Sequence, residues 1–451
     1  MKNILLLIMI LSISMAFANP TYYPTTTIAE DFGATWCGGC IDAAAGMAIM
    51  NDTYNSGEFF SVNYFTTSGD LSNAEVDARF THYEVFGVPT VIFNGKTRMS
   101  GNGSEMADGT LFEANYQKYK FNASPLKIDI AQFTPTNGHF TGSVTMLSPS
   151  ITLTNQNIYF LLMEDDVTTV DSRVTRSIFS QNISLTGENS VSNFDVNFTI
   201  NPAWNQANLW AAVFVQLDNN TVLQAASTIP VPDHYLRAAF DWSVSDIGAP
   251  NTSYLGEDFY LFNLGLADTY NTRIVVDSAP EGWYFNYCEG ENCYPGSILI
   301  PHSLAAGEVK GFHLNLSIGA SGLAIFHFEV TSPNIGTMII PFRIHTSDYV
   351  ANDDVLITSP IRMGKNFPNP FNRETKIQVF ADKGNSNATI DIYNIKGQLV
   401  KSITHHNLSS GANEITLKLD QSEASSLSSG VYYYCLQGST EPARKMLMLK
   451  Q

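Results

Sequence analysis

The hydrophobic period of this 451-residue chain changes near Ser124. Before that point, apolar strand-like runs alternate with Ala- and Met-rich segments of helical composition. After it, short runs alternate apolar and polar residues, as in Lys127-Ile128-Asp129-Ile130 and Gly142-Ser143-Val144-Thr145, with Asn, Ser, Thr and Gly clusters between them. A period of two specifies half-buried strands, and strands alternating with helices specify an α/β unit. A chain this long exceeds one core. The fold class is therefore multidomain, α/β followed by all-β.

Within the first part, strands are expected at Thr25–Phe32, Phe59–Thr66, Pro89–Phe93 and Thr97–Ser100. Helices are expected at Cys40–Tyr54, Asn73–Tyr83 and Glu105–Tyr119, and Asn94-Gly95 reads as a hairpin turn. The all-β part divides into blocks at 124–232, 233–350 and 361–451, with a polar linker over 351–360. Met1-Lys2-Asn3, the apolar run Ile4–Met15 and Ala16-Phe17-Ala18 together have the form of a signal peptide covering 1–18, with the first folded domain at 19–123. No later stretch is long and apolar enough to cross a bilayer, so no stable membrane span is expected. A formal net charge of −18 would repel nucleic-acid phosphates, which removes nucleic acid as a partner.

Five cysteines are present. Cys37 and Cys40 pair by spacing, as do Cys288 and Cys293, which leaves Cys435 over. An exported chain keeps disulfides, so two bridges and one free thiol are expected. Cys37-Gly38-Gly39-Cys40 lies between an apolar strand and a helix. The unpaired N–H groups and partial positive charge of a helix N-terminus stabilise a thiolate, so Cys37 is expected to ionise more readily than an ordinary thiol. Cys37 is then the exposed nucleophile and Cys40 the resolving thiol. A structural disulfide on a redox-inactive domain is the alternative. A zinc site joining these cysteines to Cys288 and Cys293 is disfavoured, because no His pair has ligand spacing nearby; neither metal nor cofactor is expected.

The run Asp31-Phe32-Gly33-Ala34-Thr35-Trp36-Cys37-Gly38-Gly39-Cys40 resembles the active-site strand and turn of the thioredoxin superfamily. Some fifty residues on, Tyr83-Glu84-Val85-Phe86-Gly87-Val88-Pro89-Thr90-Val91-Ile92-Phe93-Asn94-Gly95 resembles its cis-proline segment. The resemblance covers about residues 25–121. It implies a thioredoxin-like fold and a protein thiol or disulfide substrate. It implies Pro89 facing the disulfide, the Val88 backbone free to pair with substrate, and Trp36 covering one side. Asp31 takes the place of a buried carboxylate that shuttles a proton for Cys40, with Glu30 pointing to the other face of the strand. Gly39 departs from the proline of the best-known members. Reduction potentials in this fold span roughly −270 to −120 mV, so the direction of electron flow stays open.

The thioredoxin-like and immunoglobulin-like combination, carried here by Asn205-Gln206-Ala207-Asn208-Leu209-Trp210 and Val222-Leu223-Gln224-Ala225, resembles secreted outer-membrane-associated proteins of Bacteroidetes-like bacteria. Three immunoglobulin-like β-sandwiches are expected in all. Glu164-Asp165-Asp166 reads as a solvated turn rather than a calcium loop. The aromatic residues 283, 284, 285, 287 and 294 read as core flanking a structural Cys288–Cys293 staple rather than as a sugar site. At the C-terminus, Asn366-Phe367-Pro368-Asn369-Pro370-Phe371-Asn372, Ile390–Val400, Ser429–Tyr434 and the basic strand Lys445–Lys450 make a small antiparallel sandwich. The order of these pieces resembles the C-terminal sorting domain of the type IX (Por) secretion system. It implies passage through the periplasm, recognition by that machinery, and release or attachment at the outer surface.

Two functions follow as expectations. One is an exported thiol–disulfide oxidoreductase using Cys37 and Cys40. The other is a surface adhesion or binding protein whose thioredoxin-like domain is structural.

Overall fold

The computed structural model describes residues 20–347 except 68, 169–172 and 242–244. Between 361 and 450 it describes all but 370, 382–385, 395–398, 410, 421–426, 428, 437–443 and 449. The expected signal peptide and the 351–360 linker lie outside the described residues. The chain is multidomain and mostly β, with a small N-terminal α/β region. It divides into two compact units, 1–347 and 348–451.

The α/β region runs β1 (Tyr23–Pro24), β2 (Thr27–Gly33), α1 (Cys40–Thr53), β3 (Phe59–Phe65), α2 (Ala74–His82), β4 (Thr90–Phe93), β5 (Thr97–Ser100), α3 (Ser104–Ala107), α4 (Thr110–Tyr116) and β6 (Ala123–Ser124). Its sheet has the order β3-β2-β4-β5, with β2 and β3 parallel and the other pairs antiparallel. The expected single helix over Glu105–Tyr119 is two, because Gly109 takes a left-handed φ of 77° between them. Asn94 and Gly95 both have positive φ, as their hairpin turn requires. Alternation along β2 sends Ala29 to the α1 side, where it packs with Ala43, Met47 and Met50. It sends Ile28 and Phe32 to the opposite face. Gly46 lets α1 close on α3: a Cβ there would stand 1.9 Å from the Met106 carbonyl oxygen.

The next strands are β7 (Leu126–Thr134), β8 (His139–Met146), β9 (Thr152–Glu164), β10 (Val174–Thr186), β11 (Val191–Asn197), β12 (Leu209–Gln216) and β13 (Val222–Ser227). They form two sheets, β10-β9-β12-β13 and β11-β8-β7, that close on one core. Strand β12 and the Phe160–Glu164 end of β9 are buried on both faces. Their inward residues fill that core, and Leu161, Met163, Trp210, Ala212 and Phe214 turn outward to pack on Ile28, Phe32, Phe60, Val62 and Val76 of the α/β region. The sandwich sheet thus shares with α2 the covering of the α/β sheet on the side away from α1.

A buried ion pair sits in this shared core. Arg79 Nε donates to Glu30 Oε2 at 2.6 Å and Nη2 to Oε1 at 2.8 Å, with both side chains almost wholly inaccessible. Tyr83 and Tyr64 hydroxyls also donate to Glu30, at 2.5 and 3.0 Å. Gln216 of β12 completes the network: its Oε1 accepts from Arg79 Nη1 at 2.8 Å and its Nε2 donates to the Tyr83 hydroxyl at 2.8 Å. Burial and then the neighbouring carboxylate hold the Tyr83 hydroxyl protonated far above its ordinary range, so it remains a donor.

A second sandwich follows: β14 (Leu236–Ala239), β15 (Ser245–Gly248), β16 (Ser253–Leu255), β17 (Phe259–Asn263), β18 (Asp268–Ser278), β19 (Tyr284–Glu289), β20 (Asn292–Pro295), β21 (Ile300–Leu304), β22 (Val309–Ser317), β23 (Leu323–Ser332) and β24 (Gly336–Thr346). One sheet runs β14-β17-β22-β19-β20, with β16 also on β22. The other runs β15-β24-β23-β18-β21. Buried Arg237 joins this sandwich to the α/β region by donating to the carbonyls of Gly57, Thr25 and Lys120 at 2.6, 3.1 and 3.2 Å.

In the C-terminal unit, β25 (Ile361–Phe367), β26 (Glu374–Ala381), β27 (Ser386–Asn394), β28 (Leu399–Leu408), β29 (Gly411–Lys418), β30 (Gly430–Leu436) and β31 (Arg444–Met448) form sheets β25-β26-β29 and β28-β27-β30-β31 around a common core. Buried Asn366 and Thr375 both hydrogen-bond the Pro368 carbonyl, and this fixes the opening turn. Cys435 on β30 is a half-buried free thiol, and burial raises it above an ordinary thiol.

Candidate active site

Strand β2 ends at Gly33, and two tight turns follow. Cys37 N–H donates to the Ala34 carbonyl at 3.0 Å and Cys40 N–H to the Cys37 carbonyl at 3.2 Å. Helix α1 starts at Cys40, and Gly39 before it supplies no side-chain cap. The Cys40 N–H is shared: besides the Cys37 carbonyl it reaches Cys37 Sγ at 3.1 Å. Cys37 and Cys40 form a disulfide. The pair is well covered, Cys37 being 8% and Cys40 4% exposed, and it packs with Ala34 and Val88. The Val88–Pro89 peptide is cis.

Several apolar side chains of the flanking segments are exposed. Trp36 is 67% exposed and donates from Nε1 to Thr67 Oγ1 at 3.0 Å. Phe86, two residues before Val88, is 95% exposed, and Ile41 is also exposed. Asn102, in the loop after β5, crosses the motif itself. A Cβ on Gly39 would lie 3.1 Å from Asn102 Cβ and Nδ2, so a larger residue there requires Asn102 to give way by a few tenths of an ångström.

Asp31 is buried on the α1 side of β2, and its Oδ2 accepts from Asn63 Nδ2 at 3.3 Å. The parallel β2–β3 register sets these two residues opposite each other. Asn63 Nδ2 and Cys40 Sγ both lie 3.7 Å from the Cβ position of Gly33, so the Asp31–Asn63 pair and the Cys40 sulfur border the same small space. Glu30 points the other way, into the Arg79 network. Sequence reasoning did not single out Asn63 or Asn102. A lone Asn inside the apolar run Phe59–Phe65 was the available signal for the first, and the loop carrying the second bore none.

The second cysteine pair is a disulfide across β19 and β20. Trp283 and Tyr287 beside it are buried in the sandwich core, Phe285 and Tyr294 pack against that core, and Tyr284 is exposed. Glu164 and Asp165 serve internal contacts. Glu164 accepts from Arg176 Nε at 2.6 Å and from Asn205 N at 2.7 Å, and Asp165 accepts from Trp210 Nε1 at 2.7 Å. Among the described residues, no group of three or more His, Cys, Asp or Glu side chains could hold a metal ion, and no helix is long and apolar enough to cross a membrane.

Residues 365–450 match the model of the secretion system C-terminal sorting domain. The chain is thus secreted or cell-surface cargo of the type IX system, and the domain implies contact with that secretion machinery. No curated protein matches the sequence. Among solved structures, the chain is similar to HBP35 of Porphyromonas gingivalis, at 10% identity over 72% of this chain and 98% of that one, with a TM-score of 0.37. It is also similar to dimeric latent PorU from Porphyromonas gingivalis, at 15% identity over 73% and 34% of the two chains and a TM-score of 0.19. A tetra-tandem repeat from the extending region of a large adhesion protein matches at 9% identity over 73% and 75%, with a TM-score of 0.15.

Proposed function

We propose that this type IX cargo is a thiol–disulfide oxidoreductase of the outer surface or surrounding medium. In this reading the α/β region is a thioredoxin-like domain and the three β-sandwiches are immunoglobulin-like, the last being the sorting domain. The observation that carries it is the Cys40 N–H aimed at Cys37 Sγ from an uncapped helix start. A thiolate released at that sulfur gains a charge-assisted hydrogen bond and the favourable end of the helix dipole.

The exchange needs only the two cysteines and a protein dithiol. A substrate thiolate attacks Cys37 Sγ. The Cys37–Cys40 bond breaks, and its electron pair leaves on Cys40 Sγ, which takes a proton. The second substrate thiolate then attacks the substrate sulfur of the mixed disulfide and expels Cys37 as thiolate. The substrate is oxidised by two electrons and the cysteine pair is reduced; the same steps reversed reduce a substrate disulfide. Asp31, with Asn63 beside it, is the group assigned to move the Cys40 proton. Trp36 and the Val88 backbone flank the incoming substrate, with Pro89 holding the segment against the disulfide.

The coverage of both sulfurs favours a second reading, in which the pair is a structural staple and the sandwiches bind a surface partner. Turnover separates the two. In the first reading the full chain oxidises or reduces a peptide dithiol, Cys37→Ser abolishes turnover, and Cys40→Ser accumulates a mixed disulfide on Cys37. If Cys37→Ser alters only thermal stability, and the reduced protein alkylates no faster at Cys37 than a free thiol does, the oxidoreductase reading is wrong.

A further inference from the structure

The Cys288–Cys293 disulfide presents its two ends unequally. Cys288 is fully buried, whereas Cys293 is exposed on β20, the last strand of its sheet. The hairpin does not need the bond to keep its register. Asn286 pairs with Pro295, Tyr287 with Tyr294 and Glu289 with Asn292, and Tyr287 is anchored in the sandwich core. A loop of so few residues also adds little stability through chain entropy. Opening this disulfide therefore calls for no unfolding.

The neighbouring strand supplies a donor. Along β22, Phe312, Leu314 and Leu316 are buried in the core, and Asn315 lies on the outer face with the disulfide. Asn315 Nδ2 is 3.5 Å from Cys288 Sγ and 3.7 Å from Cys293 Sγ. An amide N–H at that place stabilises a sulfur that becomes anionic. The local charge is acidic. Glu289 is taken up by Lys310 at 2.8 Å and His302 at 3.0 Å, which leaves Glu291, two residues before Cys293, exposed to solvent.

We propose that Cys293 Sγ is a second thiol-exchange site, one that takes small neutral or cationic thiols. The external thiolate attacks Cys293 Sγ and forms a mixed disulfide. The Cys288–Cys293 bond breaks, and its electron pair leaves on Cys288 Sγ, where Asn315 Nδ2 donates to it. Attack by Cys288 on the mixed disulfide reverses the step and releases the thiol, so no other oxidant or reductant enters. This site does not depend on turnover at Cys37.

The test treats the folded full-length chain with cysteamine, quenches with acid, then unfolds, alkylates and maps each cysteine by mass. The expected result is cysteamine on Cys293, with Cys288 alkylated, under native conditions. Asn315→Val keeps β-propensity and lacks the donor; it is expected to lower that adduct about tenfold. Glutathione, being anionic, is expected to give several-fold less adduct than cysteamine, with the gap narrowing in high salt. Adduct formation only after denaturation, equal labelling of both cysteines, or no change in Asn315→Val would each overturn the proposal.

Discussion

Replacing Arg79 with Met tests whether the α/β region and the first sandwich form one folding unit. Arg79 is 2% exposed and Glu30 is fully buried, and the guanidinium meets the carboxylate with two donors. Burial opposes the charge on Arg79, but the Glu30 carboxylate outweighs that opposition, so the guanidinium holds its proton more tightly than usual. Removing one partner of such a pair leaves a charge buried without compensation, at a cost of about 3–5 kcal/mol. The neutral Tyr64 and Tyr83 hydroxyls remain as donors but do not replace the charge. In a body of this size that corresponds to a melting temperature lower by on the order of 5–15 °C. Arg79→Lys should fall between, since an ammonium cannot make the two-pronged contact. The double variant Glu30→Leu/Arg79→Leu should be less damaging than Arg79→Met, because no charge is stranded. The assay is thermal unfolding by circular dichroism, with amide exchange followed separately in β2 and β12. Protection in both strands should fall together. A loss below about 1 kcal/mol, or exchange that rises in β2 while β12 is unchanged, would refute the reasoning.

Two further outcomes are expected. Gly46→Ala raises the intrinsic helix propensity of α1 by about 1 kcal/mol, yet its Cβ meets the Met106 carbonyl oxygen and the Phe112 ring; a net loss of about 1–3 kcal/mol in urea titrations is expected, and a gain would contradict the close packing. His302 is buried between Tyr294 and Phe312, and burial first, then Lys310, lowers its proton affinity against the pull of Glu289. The unfolded chain then binds the proton more readily than the folded one. The stability of the second sandwich should be full above about pH 6.5 and decline as the pH falls below it, and His302→Gln should flatten that slope.

Much of this protein is written along its sequence, because local patterns report local geometry. The shift of period near Ser124 separates the α/β region from the strands. Asn94-Gly95 specifies its hairpin, and the order of pieces from Asn366 to Lys450 marks the sorting domain that sends the chain out of the cell. The Cys-Gly-Gly-Cys spacing places two sulfurs at a helix start. The tertiary structure alone decided what each of these meets. Periodicity says that Ile28 and Phe32 face something apolar, but only the packing makes that something a sandwich sheet together with α2. Glu30 and Asp31 are neighbours in sequence, yet strand register delivers one to Arg79 and Gln216 and the other to Asn63 beside Cys40. Gly39 lies against Asn102, and the asymmetry of Cys288 and Cys293 follows from a sheet edge. Each of these depends on a residue distant in sequence, and such contacts are selected by the fit of whole faces, which no local window contains.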